Sequence, residues 1–378
     1  MVFLSKSVYI HVPFCSQICH YCDFNKFLID AKNQPVDDYL RALQLEMQRA
    51  HVHEVQTVFI GGGTPTALSP VQLIFLLQAI REHVPFHDDA EFTIEANPND
   101  LTDEKLAILR KYGVNRLSIG VQSFCDDLLR EIGRDHLEGD VLQAIRRARA
   151  FGFDNISLDL IHALPNQSLE MLTEDLNKAI ALDVEHLSVY SLLIEPKTVF
   201  YQRLARGEMV APVDGIDADM YQLVMDRLEQ AGFKQYEISN YARDGFFSRH
   251  NMVYWDNAEY YGFGAGAHGY LDGVRYGNLN VLKKYMAAIY AGHRPILSEH
   301  IVSKHEQMEE AVFLGLRKCE GVSLSAFYEQ FGATLFDTFP GVVEQLMDKG
   351  LLETDGIFIR LTMQGKLIGN EVFQQFLG

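Results

Sequence analysis

Three of the five cysteines fall in one short run, CSQICHYC at 15–22, in a CxxxCxxC spacing that directly follows an apolar, strand-like segment. A closed structural zinc site needs four ligands, and disulfides need pairs. A four-iron, four-sulfur cube is normally held by four thiolates. With only Cys15, Cys19 and Cys22, one iron keeps a free position for a small molecule, as a catalytic zinc does. Phe14, Tyr21 and Phe24 flank the run and would shield such a cluster from water and tune it. The same spacing also admits zinc completed by His11 or His20, or a plain cluster of reactive thiols.

The first half of the chain alternates strand-like and helix-like stretches, which would position these groups. The strand-like runs are SVYIHVPF (7–14), TVFIGGG (57–63), EFTIEANP (91–98), RLSIGVQS (116–123), NISLDLIHALP (155–165) and HLSVYSLLIEP (186–196). They are short, apolar and often β-branched, as expected of strands buried on both faces. Between them, Leu169, Leu172, Leu176 and Ile180 share one helical face. Ser69 and Pro70 are suited to the cap and first position of a helix. Repeated βα units predict a parallel sheet with right-handed crossovers, here a partial (β/α)6 TIM-type barrel. Its polar groups recur late in the strands: the cysteines after the first, GGGTP after the second, then Glu95, Gln122 and Asp159. In a βα barrel that rim carries the site.

Composition narrows the function classes. Hydrophobic residues make up 48 % and charged residues 22 %, ordinary for a globular chain with a sizeable core. The net charge of −18 opposes nucleic-acid binding, and RRARA at 146–150 reads as the solvated face of a helix. The N-terminal run MVFLSKSVYIHVPF has no small-residue cleavage site, and no stretch approaches the ~20 apolar residues of a membrane span. A cytoplasmic protein with at most peripheral membrane contact is expected. In that reducing setting, clustered cysteines are metal ligands or redox groups.

Beyond residue 200 the character changes. Residues 214–233 have a helical pattern, KQYEISNYA reads as one more strand, and YYGFGAGAHGY (260–270) is glycine-rich. From about 300 come three helices, a hairpin turning at Asp355-Gly356 and a terminal helix, TMQGKLIGNEVFQQFL. That module resembles a winged helix, but without basic character it suits packing or partner docking. The expected division is 1–235, the barrel with its cluster site; 236–295, a connecting segment; and 296–378, a mostly helical, winged-helix-like C-terminal domain.

Taken together, CxxxCxxC after the first strand and GGGTP after the second resemble the radical S-adenosylmethionine (SAM) superfamily. YIHVPFCSQICHYCDF, FIGGGTPTAL, EANP, RLSIGVQSF, GRDH and LDLIHALP resemble its anaerobic coproporphyrinogen III oxidase family, and HNMVYW (250–255) with GFGAGAHGY resembles the heme-chaperone branch of that family. The resemblance runs from about residue 7 to the C-terminus. It implies that Cys15, Cys19 and Cys22 hold three irons of a [4Fe–4S] cluster whose fourth iron is chelated by SAM. It also implies SAM contacts from Tyr9, Tyr21, Gly62, Gly63, Thr64, Glu95, Gln122, Arg134 and Asp159. Glycines let backbone approach a ligand closely; carboxylates suit an ammonium group or ribose hydroxyls, and a guanidinium suits a carboxylate.

In that branch the histidine of HNMVYW is associated with heme, which gives His250 the role of heme ligand, with His268 as a second candidate. Imidazole is a good axial ligand, and Tyr254 and Trp255 could stack on a flat macrocycle. Cys125 and Cys319 are expected to pack as small apolar groups. The oxidases carry a fourth cysteine, CxxxCxxCxC, where this chain has Phe24, and a longer segment before the cluster than the 14 residues preceding Cys15. Both departures favour a heme chaperone that delivers heme to acceptor hemoproteins such as respiratory enzymes. SAM cleavage and homodimer formation stay open. The alternative is oxygen-independent coproporphyrinogen III oxidase, acting through a 5′-deoxyadenosyl radical; a third reading is a redox or structural iron–sulfur protein without SAM.

Overall fold

The computed structural model describes residues 6–29, 35–210 and 215–378. Residues 1–5 of the N-terminal run and Asp214, where the helical pattern begins, lie outside the described residues. Six parallel strands come first, each next to its successor: β1 (Ser7–Val12), β2 (Val55–Gly62), β3 (Phe86–Ala96), β4 (Arg116–Gln122), β5 (Ile156–His162) and β6 (His186–Ser191). The sheet continues at one edge through an antiparallel hairpin, β7 (Lys234–Glu237) and β8 (Asn240–Ala242). At the other edge β9 (Tyr260–Phe263) lies parallel to β1, followed by antiparallel β10 (His268–Leu271), β11 (Val274–Asn278) and β12 (Ile296–Ile301). The order β12-β11-β10-β9-β1-β2-β3-β4-β5-β6-β8-β7 is linear, with no closing pair among the described residues.

The strands are not apolar on both faces, as their composition suggests. They alternate with period two. Val8, Ile10, Val58, Ile60, Phe92, Ile94, Leu117, Ile119, Leu158 and Leu187 belong to one continuous apolar core. The opposite set is polar and shares levels across the sheet: Tyr9, Phe59, Thr93 and Arg116 form one row, and Gly120, Asp159 and Ser188 another. The outer face thus packs against the crossover helices and the inner face lines a polar interior.

Local signals set many boundaries. Ser69 forms a reciprocal capping box with Gln72, and Pro70 opens that helix. Leu172 and Leu176 are fully buried, as the helical period requires. KQYEISNYA is a hairpin rather than one strand, because the Glu237 carboxylate accepts from Ser239 N (2.9 Å) and bends the chain there.

Residues from 304 onward build a second core of Val312, Leu316, Phe327, Phe331, Val343, Leu346, Ile359 and Phe373. Its strands, β13 (Val322–Ser323), β14 (Leu352–Thr354) and β15 (Phe358–Leu361), form a three-stranded sheet, and Asp355 caps the β14–β15 turn through Ile357 N and Phe358 N. The predicted terminal helix is two, Met363–Leu367 and Gly369–Gln374, broken where Ile368 leaves helical geometry (φ −121°, ψ 35°). Among the described residues no helix is long and apolar enough to cross a membrane.

Besides the pairing of β9 with β1, a buried carboxylate ties the β9–β11 extension to the barrel. Glu46, on the helix Val36–Ala50, accepts from Gly264 N (2.8 Å), Asn278 Nδ2 (2.7 Å) and the Tyr285 hydroxyl. Burial raises its pKa from the ordinary 4.5 to about 7, against the pull of those three bonds. The native state therefore holds this proton more tightly than the unfolded chain. That contribution to stability is complete below pH 4.5 and is lost as pH rises to about 7. Glu46→Gln is expected to flatten the decline across that window in urea titrations; an unchanged slope would acquit Glu46. Glu46→Ala, which strands three donors, should cost about 2–4 kcal/mol.

Candidate functional site

The cysteine loop starts at the end of β1. Phe14–Cys15 pairs with Phe27–Leu28, and Phe27 N to Pro13 O (2.7 Å) and Ile29 N to Cys15 O (2.9 Å) close the loop on itself. It is anchored across the barrel mouth by His20 N to Ile132 O (2.9 Å), His20 Nδ1 with Glu131 O (2.8 Å) and Gln17 Nε2 to Gly133 O (2.8 Å). Of the histidines that might complete a zinc site, one is engaged at both ring nitrogens and the other at Nδ1. His11 bonds the Tyr9 hydroxyl through Nδ1 (2.9 Å) and Asn25 O through Nε2 (3.0 Å), and His20 Nδ1 is on a carbonyl. Among the described residues no three His, Cys, Asp or Glu side chains converge on a single ion.

The surroundings fit a larger, charge-bearing group. Burial pushes the Cys15 thiol up to about 11; Thr64 opposes this, while Cys22 and Cys19 add to it. A thiol so placed ionises only when a cation takes up its charge. Arg134 spans the mouth, donating to Cys19 Sγ (3.4 Å), Asn97 Oδ1 (2.6 Å) and Gly120 O (2.6 Å). Gly62 turns at φ +119° and donates its N–H to Glu95 Oε2 (3.0 Å). A Cβ on Gly63 would lie 2.7 Å from Phe14 O and 2.9 Å from Cys15 Sγ, so only glycine lets this loop pass the thiol. Thr64 N donates to Phe14 O (2.7 Å). Gln122 sits at φ +69°, a left-handed turn that a non-glycine residue holds only at a cost of about 1–3 kcal/mol. Of the aromatics expected to shield the thiols, Phe14 is buried and Tyr21 stands beside Cys19, but Phe24 is 66 % exposed and shields nothing.

Tyr9, Glu95 and Asp159 face inward and line a cavity of about 220 Å³, with Phe59, Arg116, Ser118 and Ser188. Asp159 lies in the middle of its strand, below the rim where its sequence position suggested it, and Ser118 Oγ donates to both of its oxygens (3.2 and 3.1 Å). Burial lifts Glu95 to about 8, helped by Asp159 and opposed by Gly62 N–H. Burial also lifts Asp159 to about 6, opposed by Ser188, Arg116 and Ser118.

The same cavity is closed by the helix Arg249–Trp255, which carries HNMVY. Glu91, in the middle of β3 four residues before Glu95, caps that helix by accepting from Arg249 N (2.8 Å) and His250 N (3.0 Å). His250 is 1 % exposed and stacks on Phe59 with centroids 5.1 Å apart. Its ring is held at both nitrogens, Nδ1 with Thr57 Oγ1 (2.7 Å) and Nε2 with the Tyr254 hydroxyl (2.9 Å). Burial, then the charge of Arg116, pushes its pKa down to about 3, so it is neutral. The structure thus brings His250 to the SAM-type residues rather than to the surface. Trp255 faces elsewhere, under Arg317 (4.8 Å). His268 is exposed on β10, beside Gly277 and outside the cavity lining. Cys125 packs in an apolar cluster, whereas Cys319 has Lys366 Nζ 3.6 Å from its sulfur.

Sequence reasoning missed Arg116, Ser118, Ser188, Phe59, Asn97 and Glu91. The signal for five of these was present: a polar or aromatic residue at every second position of strands that are otherwise aliphatic.

Comparison with known proteins fits this arrangement. The radical SAM superfamily model matches residues 9–179, and the HemN C-terminal domain model matches 302–368. The heme chaperone HemW of Bacillus subtilis (strain 168) is 51 % identical over 378 residues, covering 99 % of each chain. Its Escherichia coli (strain K12) counterpart is 35 % identical, covering 98 % of each. The mitochondrial radical S-adenosyl methionine domain-containing protein 1 of Mus musculus is 35 % identical over 95 % of this chain and 84 % of its own. Among solved structures, the coproporphyrinogen III oxidase HemN of E. coli, a radical SAM enzyme, superposes with a TM-score of 0.86 over 98 % of this chain and 90 % of its own, at 25 % identity. Membership of the superfamily implies a [4Fe–4S] cluster and SAM. With both modules matched and half of all positions identical from end to end, the chain belongs to the HemW family of radical SAM proteins.

Proposed function

We propose that this chain is a heme chaperone that binds heme and passes it to acceptor hemoproteins, acting in the cytoplasm. The observation that carries this reading is the 51 % identity to a heme chaperone across 99 % of both chains. Phe24 in place of a fourth cysteine, pointing into solvent, supports it. Cys15, Cys19 and Cys22 would hold the cluster. Tyr9, Tyr21, Gly62, Gly63, Thr64, Glu95, Gln122, Arg134 and Asp159 would surround SAM. When bound, the cluster supplies one electron and an open coordination site. The chain's own part is to exclude water, present Gly62–Thr64 backbone to the ligand and hold Arg134 at the mouth.

For His250 to serve as heme ligand, Tyr254 must release Nε2; Thr57 on Nδ1 would then fix the tautomer and orient the ring, as outer-shell partners of metal-bound histidines do. A cavity of about 220 Å³ is below the ~300–1,000 Å³ of ordinary ligand pockets, so the helix Arg249–Trp255 would also have to move. Heme titration tests this. Wild type should bind heme, His250→Ala should bind roughly tenfold or more weakly, and Tyr254→Phe should bind more tightly. Identical curves for all three remove His250 from the heme site, and absence of heme binding by wild type overturns the chaperone reading. The second reading, coproporphyrinogen III oxidase, is favoured by the superposition on HemN. Reconstituted protein given coproporphyrinogen III, SAM and a reductant should form no protoporphyrinogen; substantial product would decide for the oxidase.

A further inference from the structure

The barrel interior holds a charge that nothing in the fold neutralises directly. Arg116 begins β4 with its side chain turned into the 220 Å³ cavity, and it is 2 % exposed. Its Nε has no hydrogen-bond partner, and no ion pair among the described residues includes it. A guanidinium cannot shed its proton to escape burial, and an unpaired buried charge is among the costliest features a core can keep. Its neighbour in register, Thr93, also has a buried hydroxyl without a partner. An apolar residue of similar size would be cheaper at this position if packing were all it did.

The surrounding groups narrow the role. From β5 and β6, the His186 ring is tied between Ser157 Oγ (2.7 Å) and the Tyr236 hydroxyl (2.7 Å), and burial, then Arg116, lowers its pKa. From the closing helix, His250 is neutral and Tyr254 is bound to it. Tyr9 of β1 and Tyr190 of β6 present phenols whose pKa burial raises, so neither is an anion. The titratable acids lining the cavity are Glu95 of β3 and Asp159 of β5. Arg116 favours the ionised form of Asp159, as does Arg134 more weakly, while Glu95 owes its shift to burial and to Asp159.

We propose that Arg116 is a positioning residue for SAM: from the wall of the cavity it shares with Asp159, its buried, unpartnered charge holds that carboxylate ready to accept hydrogen bonds from the bound nucleoside. The inference rests on the SAM role given to Asp159 above. Arg116 acts through Asp159 and need not touch the ligand. Glu95 and Asp159 titrate as a coupled pair, which Arg116 biases toward ionisation through Asp159.

The test is SAM affinity of anaerobically reconstituted protein, measured by equilibrium dialysis from pH 5 to 9. Wild-type affinity should fall as pH drops through about 6. In Arg116→Met that fall should move up by about two units, leaving binding at pH 7 roughly tenfold weaker and restored by pH 9. Arg116→Lys should keep the wild-type midpoint, and Arg116→Gln is a second neutral variant should the methionine protein not fold. In an Asp159→Asn background, Arg116→Met should change affinity by less than about twofold. Glu95→Gln should uncouple the pair and leave the Arg116 shift in place. A flat wild-type profile overturns the proposal without any variant. So does an equal loss at every pH in Arg116→Met, or a further large loss in the Asp159→Asn background. Absence of SAM binding by wild type at any pH overturns the reading of Asp159 as well.

Discussion

Cys22→Ala, purified and reconstituted without oxygen, should fold and yet carry almost no iron. Wild type should hold about four irons and four sulfides per chain, since a cube with three thiolate ligands is the group this loop fits. Losing one of three thiolates leaves two, and cluster binding depends on every ligand being present and deprotonated. The fold should survive because Cys22 is only half-buried and its loop is held by backbone bonds from His20, Phe27 and Ile29 rather than by the sulfur. Cys15→Ala and Cys19→Ala should behave alike, whereas Cys125→Ala should keep its iron, because Cys125 packs in an apolar cluster and is not part of the CxxxCxxC run. Added SAM should perturb the spectrum of wild type and leave the alanine variants unchanged. Retention of iron in all three variants, or zinc in the anaerobic wild type, would overturn the cluster assignment.

Gly63→Ala should be nearly as damaging, for a steric reason. The added methyl meets Phe14 N at 2.8 Å and Phe14 O at 2.7 Å as well as the Cys15 sulfur at 2.9 Å. Two of these atoms are backbone and cannot rotate away. The loop must shift, pulling on Thr64 N to Phe14 O and on the pair Phe14–Cys15 with Phe27–Leu28. Overpacking of this kind costs about 1–3 kcal/mol, small enough for the chain to fold. The local displacement should nonetheless cut iron content by more than half and abolish the SAM-induced spectral change. Gly139→Ala, at a position with nothing within 4 Å, is the control and should leave both readouts at wild-type levels. Full iron and a normal SAM response in Gly63→Ala would show that the loop yields without disturbing the site.

How much of this was legible in the residues depends on the range over which each feature is encoded. The cysteine run could be read directly, because its three thiols lie within one loop and their spacing is covalent. The order of strands and helices was legible for the same reason: the Ser69–Gln72 capping box and the helical spacing of Leu172 and Leu176 act within a turn or two of chain. The Glu237 bend inside KQYEISNYA and the break at Ile368 were not, since each is decided by contacts that composition does not reveal. The polarity of the barrel interior was hidden differently. Tyr9, Phe59, Thr93 and Arg116 look like scattered exceptions in four aliphatic runs until register places them in one row.

The residue types and local spacing by themselves determined that three thiols stand after the first of six βα units, that the chain has a long α/β part followed by a smaller module, and that glycine follows the second strand. Only the tertiary structure decided which polar side chains share a cavity. It brought His250 from far along the chain to Thr57, closed it from solvent, and left Arg116 in the wall of the cavity it shares with Asp159 without a direct partner. Spacing along a chain governs contacts within a loop or a helical turn. Meeting across a barrel depends on strand register and on which face each residue presents, and both are settled only when the apolar face is buried against its helices.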